Sequence, residues 1–137
     1  MAEANSRPVS PQSRRPMSPH LQVYKWSPTM AMSILHRMSG VGLYAGTLLL
    51  AWWLIAASTN AAAFAMANWF LGSILGRLIM FGFTWALFHH MLGGLRHFIW
   101  DMGRGMDAPE REYLAHATWI GAILLTILTW IAAYAVR

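Results

Sequence analysis

The chain has 137 residues, of which 57% are hydrophobic and 11% charged, with a formal net charge of +5. So low a charged fraction, with the apolar residues gathered in blocks, points to a membrane protein and away from a soluble domain. Cysteine is absent, which excludes disulfides, thiolate zinc sites and cysteine-bound iron–sulfur clusters within this chain. The basic residues crowd the ends of the apolar blocks, where topology accounts for them better than nucleic acid does.

Residues 1–27 form a polar segment in which Arg7-Pro8-Val9-Ser10-Pro11 is echoed by Arg15-Pro16-Met17-Ser18-Pro19. Pro8, Pro11, Pro16 and Pro19 rule out a continuous helix and favour extended chain. No apolar core follows the basic residues closely, which argues against a cleaved signal peptide. A basic, serine-containing transit peptide remains a competing reading of the same stretch.

Ser27-Pro28 suits a helix start, a capping side chain followed by proline at the first helical position. From Met38 to Ala57 run 20 residues without a charge, enough to cross a bilayer. The first span is therefore expected over 28–58. A short, alanine-rich, uncharged connection follows, then a second span over 68–100, longer than a crossing requires. Asp101 to Glu112 reads as a charged loop broken by Gly103, Gly105 and Pro109, and a third span covers 115–136. The division is thus an N-terminal segment, 1–27, and a three-helix membrane unit, 28–136. Eight of the 10 Lys and Arg residues (Arg7, Arg14, Arg15, Lys25, Arg37, Arg96, Arg104 and Arg111) fall on one side. The positive-inside rule puts that side, with the N-terminus, in the cytoplasm or its mitochondrial counterpart.

Two spans carry polar groups that a bilayer penalises. Ser33, His36, Arg37 and Gly40 share a helical face at i, i+3, i+4 and i+7, extended by Tyr44. On the second span His90, Gly93, Gly94 and His97 repeat that spacing: an imidazole, a strip without side chains, and a second imidazole. Both faces lie about 5–15 Å from the same end of their helices at 1.5 Å per residue, so they can meet. A flat cofactor could lie on the strip with one imidazole nitrogen as ligand. Plainer readings compete: Arg37 and Arg96 could snorkel to the interface, His97 could pair with Asp101 at i+4, and the glycines could serve only close packing. His89 points about 100° away from His90 and reads as a packing residue.

The chemistry narrows to two tasks. Haem iron accepts neutral imidazole, and its propionates attract Arg or His near the polar boundary. A quinone wants hydroxyl or imidazole donors, a positive charge for the developing anion, and protons from the aqueous side. Three helices alone enclose a haem poorly, so the second ligand and the remaining walls are expected from another chain.

Arg15-Pro16-x-Ser18-Pro19-His20-Leu21-x-x-Tyr24, Ser33-Ile34-x-His36-Arg37-x-x-Gly40 and His90-x-x-x-Gly94-x-Arg96-His97-x-x-Trp100-Asp101 together resemble the cytochrome b556 subunits of succinate dehydrogenase. The resemblance covers about residues 15 to 136, with three ordered motifs and three spans. It implies an all-α membrane protein, three transmembrane helices forming half of a two-subunit haem-binding bundle. It implies that His90 is an axial ligand of haem b, with His36, Arg96 and His97 in the haem surroundings. Ser33 and Arg37, with Ile34 at the wall, would line the ubiquinone pocket. The implied partners are a second small anchor supplying the other haem ligand, an iron–sulfur subunit, a flavoprotein subunit and the bilayer, with no nucleic acid. The expected place is a bacterial inner membrane with the N-terminus cytoplasmic, ahead of the mitochondrial inner membrane. The competing functions are the anchor of a quinol:fumarate reductase, a structural anchor without haem, and a small ion channel.

Overall fold

A computed structural model describes residues 20–136. The doubled Arg-Pro-x-Ser-Pro phrase and most of the N-terminal segment lie outside the described residues, as does Arg137. After a short 3-10 turn, His20–Val23, come four helices: α1 (Pro28–Thr59), α2 (Ala61–Gly72), α3 (Ile74–Asp101) and α4 (Ala108–Ala135). The described residues contain no strand. Three helices, α1, α3 and α4, are long and apolar enough to cross a membrane.

Capping explains where they begin and end. Ser27 has extended backbone, and its Oγ accepts from the Met30 N–H at 3.3 Å, ahead of Pro28 at the first helical position. Asn60 stops α1 with φ −167° and ψ 167°, and its Oδ1 accepts from the Ala63 N–H at 2.8 Å to start α2. Ser73 does the same for α3, its Oγ accepting from Gly76 N–H at 3.1 Å. The alanine-rich connection is therefore a 12-residue helix of its own, as good helix formers between two caps dictate. The second long helix consequently starts at Ile74, six residues later than the hydropathy pattern alone places it. The third starts at Ala108, because Pro109 fits the first turn of a helix and is no breaker there.

Gly103 and Gly105 make the turn between α3 and α4, with φ of 73° and 71°. The Trp100 Nε1–H donates to the Gly105 carbonyl at 2.9 Å and ties the turn to the last turn of α3. Helix α3 touches all three other helices, and α1 and α4 also meet. Apart from Met32, the buried apolar positions are small: Ala56, Ala67, Ala86, Ala115 and Ala122, with Gly76 and Gly93. The large apolar side chains point outward, among them Val41, Tyr44, Leu48 and Ile55 along α1. That inversion fits helices whose solvent is lipid, where close backbone approach replaces hydrophobic burial as the packing device.

Candidate functional site

The start of α1 and the end of α3 lie at one end of the bundle, and the two polar faces meet there. The His36 and His90 rings stack with centroids 4.0 Å apart and planes 10° from parallel. His36 also meets the His97 ring, at 5.5 Å and 60°. Gly93 permits this. A Cβ there would collide with the His36 ring, so the glycine is filled by an imidazole from α1.

His90 is held by its Nδ1, which lies 3.1 Å from the His36 carbonyl oxygen and 3.2 Å from Ser39 Oγ. Ser39 is buried and directs its own hydroxyl proton to that carbonyl, at 2.8 Å. A carbonyl only accepts, so Nδ1 carries a proton, and in the neutral ring the lone pair then sits on Nε2. A carbonyl that accepts from one ring nitrogen is how proteins orient a metal-binding imidazole.

The glycine strip divides in two. Gly93 is covered by His36, whereas a Cβ on Gly94 would meet nothing within 4 Å. The open surface beside His90 is therefore Gly94 and exposed His97, narrower than the sequence spacing suggests, because the Gly93 half is taken by the chain's own packing. Gly40 lies close behind, its would-be Cβ 3.2 Å from His90 Cε1.

Arg37 is exposed and its Nη2 donates to Ser33 Oγ at 3.5 Å, so hydroxyl and guanidinium stand together on the outer face of α1. Ile34, 37% exposed, flanks them. Arg96 does not snorkel. It is 2% exposed, shares the interior face of α3 with Ala86, His89 and Gly93, and lies against the Trp100 ring at 5.0 Å. That face is about 100° round the helix from the one that carries His90, Gly94 and His97. His97 stands edge-on to Trp100 at 5.2 Å, and no ion pair joins it to Asp101 among the described residues.

A cavity of about 760 Å³ lies at the opposite end of the bundle, lined by residues such as Trp53, Asn68, Arg77 and Trp130, and holds none of the site residues. The imidazole face is open rather than enclosed, which is what a wall supplied by a second chain requires.

Residues 11–130 match the family model for the succinate dehydrogenase/fumarate reductase transmembrane subunit. The chain belongs to that family. Among its relatives, the succinate dehydrogenase cytochrome b556 subunit of Paracoccus denitrificans is 42% identical over 120 residues, covering 88% of this chain and 92% of the relative. That of Rickettsia felis is 36% identical over 119 residues, covering 87% and 93%. The mitochondrial cytochrome b560 subunit of Sus scrofa is 35% identical, covering 85% of this chain and 68% of its own length. Within the family fold, this chain is an all-helical membrane anchor.

One residue escaped sequence reasoning, and a second took the place expected of it. Ser39 was hidden inside the Ser33–Gly40 motif, three residues after His36, at the spacing that brings its hydroxyl back to that carbonyl. His89 is fully buried, stacked on Trp85 at 5.1 Å with neither ring nitrogen partnered. It is the packing residue that its offset of about 100° from His90 suggests.

Proposed function

We propose that this chain is the haem b-holding anchor of a succinate:ubiquinone oxidoreductase and forms part of its quinone-reducing site. The observation that carries the reading is the state of His90: Nδ1 tied to a carbonyl, Nε2 with a free lone pair, and bare Gly94 beside it. Those residues fit haem b, and bound haem would supply a one-electron store beside the quinone site. His90 would hold the iron, His36 would buttress its ring, and His97 would offer a donor at the open edge.

Ser33 and Arg37 serve the quinone. The Ser33 hydroxyl, oriented by Arg37, donates to a quinone oxygen, and the guanidinium stabilises negative charge as electrons arrive from the iron–sulfur subunit. Arg37 is exposed on its helix, so the pocket closes only against other chains of the complex: a second small anchor carrying the other haem ligand, the iron–sulfur subunit and the flavoprotein. The Paracoccus and Rickettsia relatives and the crowding of basic residues near the start of α1 support a bacterial inner membrane with the N-terminus cytoplasmic.

The test is a dithionite-reduced minus oxidised spectrum of the complex purified through this chain, beside His90→Ala. A b-type α band that disappears in the variant while the partner subunits stay bound is the expected result. No band in the unaltered complex would refute the haem reading.

A further inference from the structure

Arg96 is the only Lys, Arg, Asp or Glu that the described fold draws fully inside, at 2% exposure. Its Nε and Nη1 are sealed without a hydrogen-bond partner. Its one named contact is the face of Trp100, and a cation–π contact returns far less than a guanidinium loses on leaving water. Among the described residues no carboxylate compensates. Of the 5 acidic residues, Glu3 lies outside the described residues, and Asp101, Asp107, Glu110 and Glu112 are all exposed.

Its neighbours offer no anion either. His89, on the same face of α3, is fully buried with both ring nitrogens unpartnered, and His36 Nε2 on α1 is sealed and unpartnered. An apolar residue of similar size would pack this position at lower cost, so packing does not account for an arginine. What a buried, unneutralised cation does supply is a field, and salt screens it little inside a protein. The ring to feel it is His90, six residues back along the helix, about 9 Å of rise and a third of a turn away.

We propose that Arg96 is a potential-setting residue: its charge, placed inside the α1–α3–α4 interior, makes reduction of the haem on His90 easier without touching the haem. The inference rests on the reading that His90 holds haem. A positive charge disfavours the oxidised, more positive state of the iron. At an effective dielectric near 20 and a separation of roughly 12 Å, the oxidised-to-reduced ratio at a fixed potential shifts about tenfold.

A spectroelectrochemical titration of the α band in the purified complex tests this, comparing the unaltered chain with Arg96→Gln and Arg96→Lys. At the potential where the unaltered haem is half reduced, Arg96→Gln is expected to show an oxidised-to-reduced ratio about tenfold higher. Arg96→Lys, which keeps the charge, should titrate with the unaltered chain. If Arg96→Gln fails to retain haem, Trp100→Glu against Trp100→Gln replaces it: the carboxylate set beside Arg96 should lower the potential relative to the amide. A neutral variant that titrates like the unaltered complex overturns the proposal while leaving His90 as ligand. An unaltered complex with no b-type band overturns both.

Discussion

The tightest constraint at the site is Gly93, and Gly93→Ala isolates it. A Cβ there overlaps the His36 ring, and that ring is no free end able to swing aside. It is stacked at 4.0 Å on His90, and the His36 backbone carbonyl receives the His90 Nδ1 proton. The methyl group must therefore push α1 away from α3 or turn both imidazoles together. Overpacking of this kind costs about 1–3 kcal/mol, and at about 2 kcal/mol a ligand held by the displaced ring binds roughly thirtyfold more weakly. Gly94→Ala is the matched control, one residue on, where the same methyl meets nothing within 4 Å. Haem content per assembled complex, read from the reduced α band, and the melting temperature of the complex are the measurements. Gly93→Ala should lower both. Gly94→Ala should leave the melting temperature unchanged and disturb only what lies against the open face. Equal melting temperatures for the two variants would refute the account of His36 as the wall that fills the glycine.

Ser33→Ala and Arg37→Gln should each raise the KM for ubiquinone in steady-state succinate oxidation while the α band stays intact, since both side chains stand on the outer face of α1, away from His90 Nδ1. Ser39→Ala removes one of two acceptors near that nitrogen and should cost about 1 kcal/mol in stability, with haem retained because the His36 carbonyl remains. Both Gly103→Ala and Gly105→Ala force alanine to positive φ, at 73° and 71°. Gly105→Ala also brings a methyl onto Leu114, so it should cost more than the roughly 1 kcal/mol expected of Gly103→Ala and lower the melting temperature further. Ser73→Ala deletes the α3 cap and should cost about 1 kcal/mol, measurable as increased proteolysis between α2 and α3.

Periodicity placed the meeting of α1 and α3 in advance, because two polar faces at one depth leave little choice of partner. It could not say how the residues would share that contact. His90, Gly93, Gly94 and His97 look like one face at helical spacing, yet Gly93 and Gly94 differ by about 100° around the axis. The difference sends one glycine to His36 and the other to open space. Arg96 shows the same limit in reverse. Its place near a helix end made snorkelling reasonable, and only the tertiary fold buries it on the His89 face, against the Trp100 ring. The α2 helix was obscured for a simpler reason: an apolar alanine run carries no period, so its caps at Asn60 and Ser73 define it.

The distribution of polar groups between inside and rim is itself informative about the assembly. His36 Nε2, both His89 nitrogens and two Arg96 nitrogens are sealed within the three-helix unit, where nothing from another chain reaches them directly. Arg37, Gly94 and His97 stand on the outside at the same level. Groups that act on a cofactor or a quinone by contact belong to the second set, and groups that act by field or by bracing belong to the first. An exposed apolar stripe along α1, from Met38 through Val41, Tyr44 and Leu48, continues from the Arg37 face down the bundle. A partner helix seated on that stripe would close over Arg37 as it docks. On the function proposed above, that association would complete the site and confine quinone chemistry to assembled molecules.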